Sequence, residues 1–293
     1  MKKLLLIINP YAGMRRANRH LTDIVEIFNR GDYDVTVYVT QAHGDAQRVS
    51  AQRAKDFDLV VCCGGDGTFN ETVSGLLTAQ AEVPMGYIPA GSTNDFANSL
   101  GLPSNLLACA KKIVNGTPNP YDIGRFNGRF FSYVASFGVF TRTSYTTPQS
   151  IKNALGHTAY LLSGIQELSQ LRTEHVRLKF DGKVIEDEFL FGAICNSTSL
   201  GGVVNLDPRQ VDLRDGKFEV LLVRAPKDLT EVAECIQAVQ KQKYNCKMIT
   251  FQSAQHVQVY SRADMSWTLD GERAGGSDVI EVENLYRAIN LIS

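Results

Sequence analysis

The chain opens without a long apolar run. Met1-Lys2-Lys3 leads into five apolar residues, Leu4 to Ile8, and then Asn9-Pro10. Five are too few for the apolar region of a secretory signal, or for a membrane span of about 20 residues. No C-x-x-C pair occurs either. The six cysteines (Cys62, Cys63, Cys109, Cys195, Cys235, Cys246) and the five histidines are scattered without zinc-ligand spacing, which argues against a disulfide scaffold and a zinc centre. With 30 basic and 31 acidic residues and a net charge of -1, the chain lacks the basic excess of a protein whose whole surface holds nucleic acid, so no nucleic-acid partner is expected. Low-complexity tracts and internal repeats are missing, and 44% hydrophobic against 21% charged residues excludes intrinsic disorder. What remains is a reduced cytoplasmic protein whose 293 residues suggest two domains. Membrane contact is expected to be peripheral, through a local basic patch.

The first 118 residues alternate short β-branched runs with helical periodicity, the signature of βα units in a parallel sheet. Strands are expected at 4–8, 35–39, 59–63 and 85–88. Leu21, Ile24, Val25 and Phe28 fall at helical spacing, as do residues 45–55 and then Phe69, Val73, Leu76 and Leu77. Beyond Gly116-Thr117-Pro118 the texture changes to hairpin dipeptides: Asn127-Gly128 between strands at 121–126 and 130–137, and Asp181-Gly182 between 176–180 and 184–186. Further strands are expected at 189–195, 218–223, 248–253, 257–260, 267–269, 279–282 and 288–292, with helices at 155–171 and 229–241. The fold class is therefore α/β: an N-terminal Rossmann-like nucleotide domain with a parallel sheet over 1–118, and a C-terminal antiparallel β-sandwich domain over 119–293 whose tail is free to pack back on the first.

The apolar run at 59–63 passes straight into Gly64-Gly65-Asp66-Gly67-Thr68 and then a helix. Glycines at such a junction free backbone N–H groups for an anion, and the helix N-terminus adds favourable partial charge. The segment is neither G-x-x-x-x-G-K-[ST] nor G-x-G-x-x-G. Asp66 is unusual there, because a carboxylate beside phosphates repels them unless a cation intervenes, and magnesium is implied. The plain alternative is a glycine-rich turn. A second polar loop, Gly91-Ser92-Thr93-Asn94-Asp95, leaves the same end of the sheet.

Taken in order, Asn9-Pro10-Tyr11-Ala12-Gly13, Gly64 to Glu71, Gly91 to Phe96 and Leu269-Asp270-Gly271-Glu272 resemble the diacylglycerol kinase catalytic-domain family, and most of all its soluble bacterial lipid kinases. The likeness runs over nearly the whole chain. It implies a cleft between two domains, and ATP contacts from Asn9, Pro10, Tyr11, Ala12, Gly13, Thr40, Gly65, Asp66, Gly67, Thr68, Phe69, Asn70, Glu71 and Ser92. Asp66 and Asp95 would order magnesium and its waters, and Glu272 would be the general base, with Asp270 in a supporting role. The implied activity is ATP-dependent phosphorylation of the free hydroxyl of diacylglycerol to phosphatidate. Alternatives are another lipid acceptor (a sphingoid base, phosphatidylglycerol), an NAD kinase-like small-molecule kinase, or a non-catalytic lipid- or nucleotide-binding regulator. Phosphoryl transfer asks chiefly for positioning, charge neutralisation and a carboxylate to take the acceptor proton, so the residue chemistry agrees.

A second magnesium is implied by likeness at Asp212, Asp215 and Lys217, the lysine through its carbonyl because a protonated amine cannot ligate. An Asp-Gly turn with solvated charges is the alternative there. Arg15, Arg16 and Arg19, and the acid-free stretch holding Arg125, Arg129, Arg142 and Lys152, offer local attraction to anionic phospholipid. Where bacterial relatives carry a basic residue after N-P-x-x-G, this chain has Met14. A homodimer is left open.

Overall fold

The computed structural model describes residues 1–139, 172–200, 204–244 and 246–293. Arg142, Lys152 and the helix expected over 155–171 lie outside the described residues. The chain forms two compact units, one of Met1–Ile123, Arg129–Ser132 and Leu285–Ser293, the other of Gly124–Gly128 and Tyr133–Asn284.

In the first unit, β1 (Lys2–Ile8) leads through α1 (Arg16–Arg19) and α2 (Leu21–Arg30) to β2 (Tyr33–Val39), and α3 (Asp45–Arg53) leads to β3 (Leu59–Gly64). Then come α4 (Asp66–Thr78), β4 (Met85–Pro89), α5 (Asp95–Ser99) and α6 (Leu106–Asn115). Strands β1 to β4 are all parallel: β2 and β3 flank β1, with Leu4 opposite both Val35 and Leu59, and β4 follows β3. Crossovers of this kind place helices on both faces, so the strands must be apolar on both. Accordingly Leu4, Leu6, Ile8, Val61 and Cys63 pack with Ile24, Phe28, Cys109 and Ile113 of α2 and α6, while the alternate Cys62 reaches Thr72 of α4. The chain's last residues, Leu291 and Ile292, run parallel to Met85 and Gly86 and add a fifth strand.

The second unit holds most of the antiparallel strands. β5 (Pro118–Phe126) and β6 (Arg129–Phe131) precede β7 (Val134–Gly138), β8 (Glu174–Phe180), β9 (Lys183–Cys195), β10 (Ser199–Leu200), β11 (Val204–Asn205) and β12 (Phe218–Arg224). After α7 (Leu229–Gln240) come β13 (Ile249–Ala254), β14 (His256–Tyr260), β15 (Trp267–Leu269), β16 (Glu272–Ala274) and β17 (Val279–Ile292). β9 pairs β8 through its first half and both β7 and β12 through its second. The expected strands at 184–186 and 189–195 are thus one, as are those at 279–282 and 288–292, whereas 130–137 breaks at Ser132-Tyr133. α7 starts on a side-chain cap: Asp228 accepts from the Glu231 N–H, and Glu231 accepts from the N–H of Lys227, the residue before the cap.

Candidate functional site

Open α/β sheets bind ligands beyond the carboxyl ends of their strands, and the first unit brings four of the expected segments to that edge. The backbone ladder continues past the strand ends: Asn9 N–H donates to Cys63 O, Thr40 N–H to Ile8 O, and Ala90 N–H to Gly64 O. Side chains then tie the loops. Asn9 donates from Nδ2 to Thr68 Oγ1 at 3.0 Å and accepts from Tyr11 N–H. Asn94, in the left-handed region with φ 53°, holds Gly91 at both ends, accepting from its N–H and donating to its carbonyl. Two glycines make the close approach possible. At Gly13, φ is +48° and a Cβ would stand 1.9 Å from the Ala90 carbonyl oxygen; at Gly91 it would stand 2.6 Å from the Gly65 Cα.

Asp66 is the first residue of α4 and links this loop to the next. Its carboxylate oxygens accept from the Asp95 N–H at 3.2 Å and the Phe96 N–H at 3.4 Å, so it caps the start of α5. Burial, then the nearby Asp95 charge, push its carboxyl up to about 6, against the lowering effect of those N–H donors. Asp95 itself is only 1% exposed. The half-buried Asp66 and the buried Asp95, neighbours at a phosphate-type loop, form a donor set suited to a hard divalent cation with several waters.

The other expected ATP contacts fall into three groups. Tyr11 and Ser92 are exposed at the rim, and Pro10, Ala12, Gly65 and Gly67 are half-buried. Thr40 and Thr68 are buried at the loop bases, and Phe69 is fully buried, its ring 4.5 Å from Tyr87 and 4.9 Å from Phe96. Asn70 and Glu71 are committed to neighbouring segments. Asn70 donates to Phe130 O and accepts from Ser132 Oγ. Glu71 accepts from the N–H groups of Gly44 and Ala46, capping α3, and its Oε1 lies 2.9 Å from His43 Nδ1. Their carboxylate and amide hold loops in place.

In the second unit, Asp270-Gly271 is a two-residue turn between β15 and β16, with φ of 50° and +84°, the type I′ geometry of tight hairpins. Asp270 does more than turn the chain. It is 6% exposed and its Oδ1 accepts from both Tyr133 N–H and Val134 N–H at 3.0 Å. Beneath it Trp267 is buried between Phe126 and Phe137, ring centroids 5.0 and 4.9 Å away. Glu272, half-buried, opens β16 opposite Leu269.

Asp212 and Asp215 each accept from a backbone N–H two residues on, those of Arg214 and Lys217, and the Lys217 carbonyl accepts from Asn284 Nδ2. Beside them is Glu219, which sequence reading passes over as one more strand residue. It is 2% exposed, and burial, then the charges of Asp215 and Asp212, push it up to about 8. Among the described residues no three His, Cys, Asp or Glu side chains converge on a metal-binding point. An ion there would rest on two carboxylates, a main-chain carbonyl and water.

A parallel α/β unit with glycine loops pinned at the carboxyl ends of its strands belongs to the nucleotide-binding class of folds. Comparison with known proteins narrows the class. Residues 3–126 match the family model of the diacylglycerol kinase catalytic domain, and residues 134–292 match that of the YegS C-terminal NAD kinase beta sandwich-like domain. The chain is 34% identical over 294 aligned positions to the diacylglycerol kinase of Bacillus subtilis, covering 100% of this chain and 96% of that one. It is 30% identical over 273 positions to that of Staphylococcus haemolyticus, with 92% and 82% covered. A crystal structure of a diacylglycerol kinase from Bacillus anthracis superposes with a TM-score of 0.76 at 24% identity, over 99% of this chain and 96% of the other, and shares the fold. The chain belongs to the diacylglycerol kinase family, whose members are lipid kinases with ATP as phosphoryl donor. No helix among the described residues is long and apolar enough to cross a membrane.

Proposed function

We propose that this lipid kinase phosphorylates the free hydroxyl of diacylglycerol to give phosphatidate, with ATP and magnesium, at the surface of a membrane containing anionic phospholipid. The observation that carries the reading is the Asp66–Asp95 pair, the first half-buried and the second buried, within loops held at van der Waals contact, where the Asp95 charge disfavours ionisation of Asp66 and a cation would favour it. The glycine-loop backbone from Gly65 to Thr68 and the Asn9 to Gly13 segment would hold the triphosphate, and Thr40 and Ser92 would flank it. Magnesium held by Asp66 and Asp95 through its waters would supply neutralisation of phosphate charge. Glu272 takes the proton from the acceptor hydroxyl as its oxygen bonds to the γ-phosphorus and ADP departs. A second ion at Asp212, Asp215 and the Lys217 carbonyl would serve the fold.

Purified protein is incubated with labelled ATP and, separately, diacylglycerol, sphingosine, phosphatidylglycerol and NAD. Label should enter phosphatidate, and only with magnesium present. Preferential labelling of sphingosine, phosphatidylglycerol or NAD replaces the acceptor while leaving the kinase reading intact; NAD is included because the second matched domain is described as NAD kinase-like. Dependence of turnover on anionic vesicles, weakening with salt, tests peripheral association, for which the exposed Arg16 and Arg19 supply local charge.

A further inference from the structure

Four cysteines, Cys62, Cys63, Cys109 and Cys195, are buried, whereas Cys235 and Cys246 are half-buried. The latter two stand together, with Sγ atoms 4.0 Å apart. Cys235 is on α7 and Cys246 lies shortly before β13. The described backbone on either side of them is held by bonds that do not involve sulfur. Lys241 N–H donates to Gln237 O, Lys243 N–H to Ala238 O and Ile249 N–H to Cys246 O. Gln242 is left-handed at φ 53°. The Tyr244 ring lies 4.7 Å from that of Phe251, and its hydroxyl donates to Asn205 O at 3.0 Å. The fold therefore keeps two accessible thiols as neighbours, and neither has a part in the phosphoryl transfer described above.

We propose that Cys235 and Cys246 form a dithiol modification site, oxidised to an intramolecular disulfide by low-molecular-weight disulfides. One thiol, as thiolate, attacks a sulfur of the reagent; a protein–reagent S–S bond forms, the reagent's own S–S bond breaks, and one reagent thiol leaves. The second protein thiolate then attacks the protein sulfur of that mixed disulfide, forming the Cys235–Cys246 bond and releasing the second reagent thiol. The protein loses two protons and two electrons, and the reagent gains both. A bonded separation is about 2 Å, so closure shortens the 4.0 Å gap between the sulfurs by about half. Burial, the adjacent Cys246 and the charges of Glu231 and Glu234 push the Cys235 thiol up to about 12, so the exchange is slow at neutral pH.

The test uses the full chain, exposed to oxidised glutathione, blocked with iodoacetamide and digested with trypsin without reductant. Cleavage after Lys227, Lys241, Lys243 and Lys247 separates the cysteines into peptides 228–241 and 244–247. Expected is a species joining these two peptides, two hydrogens short of their summed mass and lost on reduction, with the peptides of the four buried cysteines unmodified. Cys235→Ser and Cys246→Ser should each lose the joined species and retain glutathione on the remaining cysteine. The oxidised wild type should melt about 3 °C higher than the reduced form, and neither variant should show that shift. Recovery of both wild-type cysteines in alkylated form, or of separate glutathione adducts on them, overturns the proposal.

Discussion

Asp66 and Glu272, the two carboxylates central to the proposed reaction, are held by different means. Around Asp66 the support is hydrogen bonding from loop to loop: Asn9 to Thr68, Asn94 to Gly91, Asp66 to the Asp95 and Phe96 N–H groups, and Glu71 to Gly44 and Ala46. Around Glu272 it is packing beneath a hairpin, with one buried side chain, Asp270, bonded to the neighbouring strand. Loops bearing phosphate contacts need many fixed backbone groups, so each loop braces another. A base needs a single carboxylate in one position, and a short turn on a sheet supplies it. The first arrangement is expected to fail through loss of its electrostatics, the second through loss of its support.

Asp66→Asn and Glu272→Gln make the contrast largest. Each should lower turnover at least about 1,000-fold, roughly 4 kcal/mol of transition-state stabilisation, with circular dichroism unchanged. Only Asp66→Asn should weaken magnesium-dependent nucleotide binding, read by calorimetry. Turnover within tenfold of wild type in Glu272→Gln removes it from the role of base. Gly13→Ala comes next. Its Cβ would meet the Ala90 carbonyl oxygen at 1.9 Å with φ at +48°, so about 3 kcal/mol of stability and a Tm lower by about 6 °C or more are expected. A Tm within 1 °C of wild type would show that the loops can part without cost.

Asp270→Ala leaves the Tyr133 and Val134 N–H groups without their acceptor in a buried setting, a loss of about 2 kcal/mol. Asp270→Asn keeps one acceptor oxygen and should recover most of the stability. On the reading that Asp270 positions Glu272 through the turn, the alanine variant should lower kcat more than it raises KM for ATP, and the asparagine variant should recover kcat in step with Tm. Full stability and a full kcat in Asp270→Ala would leave packing as the only support of the hairpin.

What could be read directly from the residues was local. The apolar run ending in Gly64-Gly65 and the dipeptides Asn127-Gly128, Asp181-Gly182 and Asp270-Gly271 carry their geometry in adjacent positions. The strands that merged did not. β9 passes through Asp187-Glu188, and β17 through Asn284 and the left-handed Arg287, polar stretches that resemble loops until a partner strand supplies their hydrogen bonds. In the site, Glu71 lies next to the glycine loop in sequence, yet its carboxylate serves α3, more than twenty residues upstream. Glu219 was invisible for a related reason: alternation in a strand does not say which side faces other acids.

Glu219 therefore provides the smallest expected effect. In metal-free protein its carboxyl is raised from 4.5 to about 8 by burial and by Asp215 and Asp212. The folded state thus holds a proton that the unfolded chain has released across this window. Stability is fully present below about 4.5 and declines as pH rises toward 8. In chelator, Tm should fall across that interval. Glu219→Gln, neutral and of the same shape, should flatten this part of the profile and raise the metal-free Tm at pH 8 by about 2 °C. Magnesium opposes the same repulsion by binding only the folded state, so it should raise the wild-type Tm, and the increment should shrink in Asp215→Ala. Magnesium that leaves the wild-type Tm unchanged at pH 8, while Glu219→Gln still raises it, would mean that the three acids repel one another without an ion to join them.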